Sequence, residues 1–416
     1  MKKVSEKLFM NDAIAKSNKA LITTALLLLG IGVIAVFSAD ISRISLSSKG
    51  VKQVIWASGG VFVALIFTLI NYRKLNLEKP LRICLLIFTA MLVFLAGCSF
   101  LHSLGIDVRI GNSSFGVRRI NGAYRWFSLG YFNFQPSVFV KVFLILFIAA
   151  KLSKISAVKS KFNTKVKAKK IEKNKDDDSN FSSLIQEKIE KHKEILEVLL
   201  FSMIITTLVL FQPSTSVAAS ILVVAFAMLA MKNAKFFMGK NFIVVALVLA
   251  AIGFVAWNGF PHIRNRIMKG GDNFQSEQAV LAISSGGLTG LGIGHGEHKY
   301  PGRLPEVEND FIFSLIAQET GFIGSFIFLA IYIVFIFAGF YTALRTQDDF
   351  GKFAAFGITA NYAFSFLAHL FVNLGFINTG ASLPFVSYGG TAIFADATML
   401  GILLNISAEK CERSKQ

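Results

Sequence analysis

Apolar segments of about twenty residues recur along the whole sequence, and they constrain the fold more than any other feature. A helix needs roughly 20 apolar residues to cross the ~30 Å hydrocarbon core of a bilayer. We identify ten such spans, at approximately 20–39, 51–71, 82–101, 136–153, 195–212, 215–231, 241–257, 311–344, 353–376 and 386–407. The sequence therefore predicts an all-α, polytopic membrane protein. It excludes a soluble nucleic-acid binder, despite a net charge of +18.

Charged loops between the spans predict the orientation and the divisions of the chain. Lysine and arginine concentrate in the alternate loops 73–82, 151–193 and 232–240, and cytoplasmic loops carry this excess. We therefore expect both termini in the cytoplasm and long outer loops after the third and seventh spans. The predicted divisions are a cytoplasmic tail (1–19), spans one to four (20–153), a basic, disordered cytoplasmic loop (154–194) with a candidate surface helix at 182–194, spans five to seven (195–257), a large outer loop (258–310), spans eight to ten (311–407) and a cytoplasmic tail (408–416).

One apolar run is too long for a single crossing and has a carboxylate at its tip. Residues 311–344 would extend ~50 Å as one helix, so we expect the span to start near Gly321–Gly324 and 311–320 to lie at or above the membrane edge. Asp310 would then be placed as a general base for a hydroxyl proton. The alternative is that Asp310 is an ordinary helix N-cap, and the two interpretations are compatible.

Cations and a second carboxylate add further candidates. The first outer loop is rich in arginine, including Arg125. Arginine suits phosphate recognition, although long loops also translocate regardless of charge. Lys141 and Glu319 lie inside apolar segments, where a charge is costly and marks a functional site by default. The alternatives are a lysine that reaches the interface and a glutamate that only steers its segment.

Two other patterns are weaker evidence for a functional site. The glycines at 286–294 lack the Lys-Ser/Thr of a phosphate-binding loop. His295, His298 and Glu297 stand close together in sequence, but three such residues in a loop are weak evidence for a metal site. We therefore predict no metal ligands and no certain cofactor, and leave a divalent cation open.

Three separated motifs, in the right order, resemble the signatures of a known family. They are NGAYRW with LG and FQPS at 121–137, SGGL with GLG and LP at 285–305 followed by NDFIF at 309–313, and LPFVSYGG at 383–390. These resemble the marks of the SEDS proteins (shape, elongation, division and sporulation), and the resemblance covers about residues 15–408. Residues 294–297 (GHGE) and Phe385 are most similar to the FtsW branch.

The resemblance implies a glycosyltransferase that polymerises lipid II into glycan strands at the outer face of the cytoplasmic membrane during septal wall synthesis. It implies a class B penicillin-binding protein and other division proteins as partners, and a location at the division septum. Asp310 is the predicted catalytic residue. The predicted substrate-binding residues are Arg125, Trp126, Gln135, Lys141, Lys299, Glu319, Ser387, Tyr388 and Gly389.

The sequence also departs from the family pattern. Acids of the family are replaced by Val138, Ser214 and Gln318, a glycine by Ser216 and an arginine by Tyr124. Removing one partner of a buried ion pair costs about 3–5 kcal/mol, so we expect compensation, and Asp396 in the last span is the candidate. Two other functions remain open: a lipid II flippase, and a catalytically weakened scaffold of the division machinery.

Overall fold

The structure is a computed structural model that describes residues 18–40, 48–106, 108, 110–111, 115–117, 119, 123–130, 132–171, 177–212, 214–232 and 273–413. The helices in these ranges are α1 (Lys19–Ala39), α2 (Lys49–Leu69), α3 (Glu78–Ser103), α4 (Pro136–Ile171), α5 (Asp177–Phe211), α6 (Thr215–Lys232), α7 (Asn273–Ser285), α8 (Ile312–Arg345), α9 (Asp349–Asn373) and α10 (Gly390–Arg413). A short 3₁₀ helix, Tyr72–Leu75, joins α2 to α3.

Eight of these helices are long and apolar enough to cross a membrane: α1, α2, α3, the end of α5, α6, α8, α9 and α10. They coincide with eight of the predicted spans, and α4 covers the predicted fourth span, 136–153. The predicted seventh span, 241–257, lies outside the described residues. A mostly helical membrane fold is thus present, while the number of ten spans and the cytoplasmic termini stay predictions.

Helix α10 lies at the centre of the bundle. In its most apolar window 83 % of the residues are buried, against 28–50 % in the other spans. It packs on α2, α4, α8 and α9. The approach to α2 is close because Gly401 has no side chain: a Cβ there would stand 2.7 Å from the Phe67 Cβ.

Helix α8 is broken at Gly321, whose φ of 68° and ψ of −164° are not helical. A positive φ is favourable for glycine because it has no Cβ. The prediction that the long apolar run divides near Gly321 is therefore confirmed. Every residue from 312 to 319 is buried, so the first piece of α8 is enclosed by protein on all sides.

The glycine-rich loop 286–292 fills this break. The loop forms hydrogen bonds with backbone groups that the broken helix leaves without helical partners. The loop donates from Leu291 N to Gln318 O (3.0 Å) and from Gly292 N to Glu319 O (3.0 Å). Helix α8 donates from Phe322 N to Gly287 O (2.9 Å) and from Ile323 N to Leu288 O (3.2 Å). Gly290 has a φ of 82°, and a Cβ there would overlap the Glu319 carbonyl. The glycines of this motif therefore allow two backbones to approach closely.

The predicted first outer loop contains a small antiparallel sheet, which no pattern in the sequence indicated. Its strands are β1 (Ile110–Gly111), β2 (Phe115–Val117), β3 (Phe127–Leu129) and β4 (Phe132–Phe134), in the order β1-β2-β3-β4. The strands have only two or three residues, too few for the alternation that identifies a strand in sequence.

The predicted disordered loop 154–194 differs in the structure. Helix α4 continues to Ile171 and α5 begins at Asp177, so helix covers most of this segment and includes the predicted surface helix, 182–194. Lysine is the commonest residue of this segment, and both lysine and glutamate have high helix propensity. The prediction of disorder is therefore corrected: in this segment the charged and polar residues belong to the extended ends of α4 and α5.

An ion cluster joins α3, α4 and α5. The Lys151 ammonium is buried, with the side chain 1 % exposed, and lies 2.6 Å from Glu194 and 2.7 Å from Glu197. It also contacts Glu78. Lys154, on the next turn, lies 2.5 Å from Glu194. We call this group the Lys151 cluster.

Candidate functional site

The start of α8 is capped by side chains of α9. The first helical residue is Ile312, and the N-cap position is Phe311, which offers no side-chain cap. Instead, Phe313 N donates to His369 Nε2 (3.4 Å) and Ser314 N donates to Asn373 Oδ1 (3.0 Å). These are the N–H groups that a helix start leaves without partners.

Asp310 precedes the helix end that α9 caps. Asp310 stands one position before the N-cap, and its own N–H donates to Glu306 O (3.1 Å). It lies beside the N-terminal end of α8, a position that suits both a helix cap and a general base, so the two interpretations stay compatible.

The backbone of Asp310 and its two predecessors is anchored at three successive carbonyls. The carbonyl of residue 308 accepts a hydrogen bond from Tyr388 N (2.9 Å). The carbonyls of residues 309 and 310 accept from Ser387 Oγ (2.6 Å) and Asn373 Nδ2 (3.0 Å), respectively. The last two anchors are buried side chains. The loop and helix end at 373–388 therefore set where Asp310 stands.

The Asp310 side chain is partly exposed and lies against Gly380. A Cβ at Gly380 would stand 3.0 Å from Asp310 Cγ and closer still to Oδ2. Here the backbone of the 374–389 loop approaches the carboxylate directly. A reacting group that meets Asp310 must come from the side that this loop leaves open.

Glu319 and Lys299, two of the predicted substrate-binding residues, contact each other. Lys299 Nζ lies 3.7 Å from Glu319 Oε1, and both side chains are 5 % exposed. Glu319 also accepts hydrogen bonds from the Ser38 hydroxyl and from Gly296 N, the latter at 3.2 Å. In the structure this pair holds the 286–300 loop and α1 against the first piece of α8.

Gln318, at the position of a family acid, holds the same loop. Its Nε2 lies 2.9 Å from Ser285 Oγ, to which it donates, and 2.7 Å from His298 Nδ1. Its Oε1 accepts from His298 N at 3.2 Å. A carboxylate could accept but not donate these bonds, so the amide is matched to its neighbours.

His298 makes stability depend on pH. Burial lowers the pKa of His298 below its ordinary value, against the opposing hydrogen bond from Gln318. The unfolded chain then binds the proton more readily, so this contribution to the free energy of unfolding is fully present above pH ~6.5 and is lost as pH falls through the folded-state pKa. We expect the melting temperature in detergent to fall less between about pH 7.5 and 5 in His298→Asn than in wild type. Exposed His295→Asn is the control, and equal falls in His298→Asn and wild type would refute this assignment.

Arg125 and Trp126 lie at the end of α5. Arg125 Nε donates to Gln212 O at 2.7 Å, just after the last residue of α5, and its guanidinium lies 5.8 Å from the Trp126 ring centroid. A cation is favourable at the carbonyl end of a helix. Gln135 donates to Ser137 Oγ (3.1 Å) at the start of α4. These three predicted substrate-binding residues are thus near helix ends.

Lys141 and Asp396 are electrostatic neighbours inside the bundle. Lys141 on α4 is half-buried, Asp396 on α10 is 7 % exposed, and each lies within the electrostatic reach of the other. The Phe385 N–H donates to the Asp396 carboxylate. The structure therefore supplies Lys141 with an acidic neighbour although the family acid is replaced by Val138.

Three residues of α2 meet the same region and were missed by the sequence analysis. Lys49 forms an ion pair with Glu308, and Gln53 Nε2 donates to Ser387 O at 3.3 Å. Trp56 follows on the same helix face. The spacing i, i+4, i+7 places all three on one face, and this was the signal available in the sequence.

Tyr388 and Gly389 close the region at the start of α10. The Tyr388 ring centroid lies 4.9 Å from that of Trp56. Burial, followed by the charge of Glu308, raises the pKa of Tyr388 to about 12, so its hydroxyl remains a hydrogen-bond donor at neutral pH. The Gly389 carbonyl accepts from Ile393 N (3.0 Å) in the first turn of α10.

A group of metal-ligand type in the described residues consists of Glu78, Glu194 and Glu197. The Lys151 ammonium lies among these carboxylates and already supplies the positive charge that a metal would bring. The loop residues His295, His298 and Glu297 do not converge as a ligand group within the described part of the chain.

Comparison with known proteins decides the family. A family model described as "Cell cycle protein", which covers FtsW, RodA and SpoVE, matches residues 18–412. This chain belongs to that family. Both the predicted family and the predicted glycosyltransferase class are confirmed, the latter through the activity that relatives' names state.

Individual relatives of the family span most of the chain. A probable peptidoglycan glycosyltransferase FtsW of Trichlorobacter lovleyi is 30% identical over 70% of both chains. Stage V sporulation protein E of Bacillus subtilis is 27% identical over 93% of this chain and 96% of its own.

Solved structures share the fold. A chain from "Structural coordination of polymerization and crosslinking by a peptidoglycan synthase complex" has a TM-score of 0.67 at 21% identity, with 95% of this chain and 98% of that chain covered. Rod shape determining protein RodA of Thermus thermophilus has a TM-score of 0.60 at 20% identity, with coverage of 95% and 97%.

Proposed function

We propose that this membrane protein polymerises lipid II into glycan strands at the outer face of the cytoplasmic membrane, with Asp310 as the general base. The observation that carries the proposal is the anchoring of Asp310: three successive carbonyls are held by residues 373–388, while the carboxylate itself stays partly exposed. A general base must be held within reach of one proton, and such anchoring provides this.

The reaction forms one bond and breaks one. The acceptor sugar hydroxyl attacks the anomeric carbon of the donor, its proton passes to the Asp310 carboxylate, and the bond from that carbon to the lipid-linked pyrophosphate breaks. The departing pyrophosphate takes the electron pair, and nearby cations stabilise its charge. Arg125 and Lys141 stay the predicted partners of the pyrophosphate, with Trp126, Gln135, Lys299, Glu319, Ser387, Tyr388 and Gly389 predicted to shape the substrate site.

Lys49 adds a cation at the same end of the molecule. It pairs with Glu308, two residues before Asp310, and half of its side chain is exposed. We therefore add Lys49 to the candidate pyrophosphate-binding residues.

A septal location, a class B penicillin-binding protein partner and other division proteins are part of the proposal. The support is the resemblance to the FtsW branch and a relative named as a probable FtsW enzyme. A structural neighbour comes from a peptidoglycan synthase complex.

The test is polymer formation from purified lipid II by the wild-type protein, with and without its transpeptidase partner and with and without a chelator. We expect glycan strands in the presence of the partner, and the chelator arm decides whether a divalent cation is needed. In parallel, protein-containing liposomes report movement of labelled lipid II between leaflets. Translocation without polymer would establish the flippase alternative. Neither activity from folded, partner-bound protein would establish the scaffold.

A further inference from the structure

Gly380 lies where any side chain would meet the Asp310 carboxylate. The nearest atoms to a Cβ built at Gly380 all belong to that carboxylate, with Cγ at 3.0 Å. Gly380 is not among the described glycines with positive φ. The backbone conformation at this position would therefore accept a side chain, but that side chain would overlap the Asp310 carboxylate.

The rest of Asp310 is already fixed. Its carbonyl is held by Asn373, and the carbonyl before it by Ser387. With the backbone set, the side-chain torsions of Asp310 place the two carboxylate oxygens. The bare backbone at Gly380 borders the space in which they turn.

We propose that Gly380 is a positioning residue for Asp310: the absence of a side chain lets the carboxylate lie against the 374–389 loop in the orientation that receives the acceptor proton. The inference rests on the proposed function. It adds a residue that touches neither the sugar nor the pyrophosphate and acts through the carboxylate alone.

Gly380→Ala should be accommodated by a turn of the Asp310 side chain, because the obstructing atoms are the end of that side chain and not backbone. Displacing a reacting group by about 1 Å can cost about 100-fold in rate. We expect kcat for glycan polymerisation to fall about 100-fold, with the KM for lipid II within about twofold of wild type. A general loss of folded protein would not separate kcat from KM in this way.

The matched control is Gly30→Ala on α1. It makes the same chemical change, and a Cβ there meets nothing within 4 Å. We expect its kcat and KM to stay within about twofold of wild type. Wild-type kinetics for Gly380→Ala would overturn the proposal, as would a kcat loss of the same size in Gly30→Ala.

A second measurement tests the contact without using activity. The melting temperatures of wild type, Gly380→Ala, Asp310→Ala and the double variant form a cycle. We expect Gly380→Ala to lower the melting temperature in the wild-type background and to have little effect once Asp310 is alanine, because the overlap is then gone. Equal decreases in the two backgrounds would overturn the contact. A wild type that makes no polymer would instead refute the proposed function, whereas this cycle would still decide whether Gly380 and Asp310 meet.

Discussion

Asp310→Asn is expected to lower glycan polymerisation by about 10²–10⁴-fold, the usual contribution of general base catalysis. Asparagine keeps the size of the side chain but cannot accept the sugar proton. The backbone anchors from Ser387 and Asn373 involve the carbonyls of 309 and 310 and are unaffected. The caps of α8 also come from α9, so the folded state should persist.

The measurement is the initial rate of polymer formation from lipid II with the partner present, together with the melting temperature. Glu297→Gln is the control, because it removes a carboxylate from the same loop at an exposed position, 63% accessible. We expect this control to polymerise at the wild-type rate. If the Asp310→Asn protein also polymerised at that rate, the base would lie elsewhere, and Glu319 would be the next carboxylate to replace.

Lys151→Met is expected to destabilise the protein by about 3–5 kcal/mol, the usual cost of removing one partner from a buried ion pair. Methionine has a similar length and is apolar, so little space is left empty. The loss leaves Glu78, Glu194 and Glu197 facing one another, with ligand atoms within 4.8 Å. Like charges at this distance repel, and the burial of Glu194 reduces the screening of this repulsion.

Equilibrium unfolding in mixed detergent would measure this effect. Lys154→Met is the matched control: the same change one turn away, on a side chain that is 44% exposed. An exposed pair contributes about 0–1 kcal/mol, so the control should stay near wild type. Equal losses for the two variants would show that burial of Lys151 is not what makes its ion pairs important.

The sequence predicted the parts of the fold that depend on local pattern. Apolar length located α1 and α9, and the excess length of the 311–344 run, with a glycine at 321, located the break in α8. The loop 154–194 was misjudged because lysine-rich composition was taken as disorder, although the same residues favour helix.

Site residues could be predicted only where their local sequence context points to a function. A carboxylate before an apolar helix identified Asp310 as a candidate. The side chains that cap the helix after it, His369 and Asn373, lie on another helix about sixty residues later. The face on which α2 carries Lys49 and Gln53 could be seen in sequence, but its packing against 387 and 308 could not. Such pairings depend on how helices pack, which no local pattern specifies.

The departures from the family pattern can also be judged one at a time. Gln318 donates hydrogen bonds that an acid could not, so this replacement fits its surroundings. Val138 leaves Lys141 without an acid on its own helix, and Asp396 on α10 lies within its electrostatic reach. The hydrogen bonds that anchor Asp310 involve neither position 318 nor position 138. Because the replacements leave the proposed base in place, they favour an active enzyme over the scaffold alternative.

The broken helix has a consequence for the order of assembly. Each unpaired backbone group buried away from water costs several kcal/mol, and the break at Gly321 is completed by four hydrogen bonds with residues 287–292. The broken helix is therefore not stable inside the protein before that loop has docked on it. Because the loop precedes α8 in the chain, it is already synthesised when the helix emerges, and the two are expected to enter the bundle as one cooperative unit.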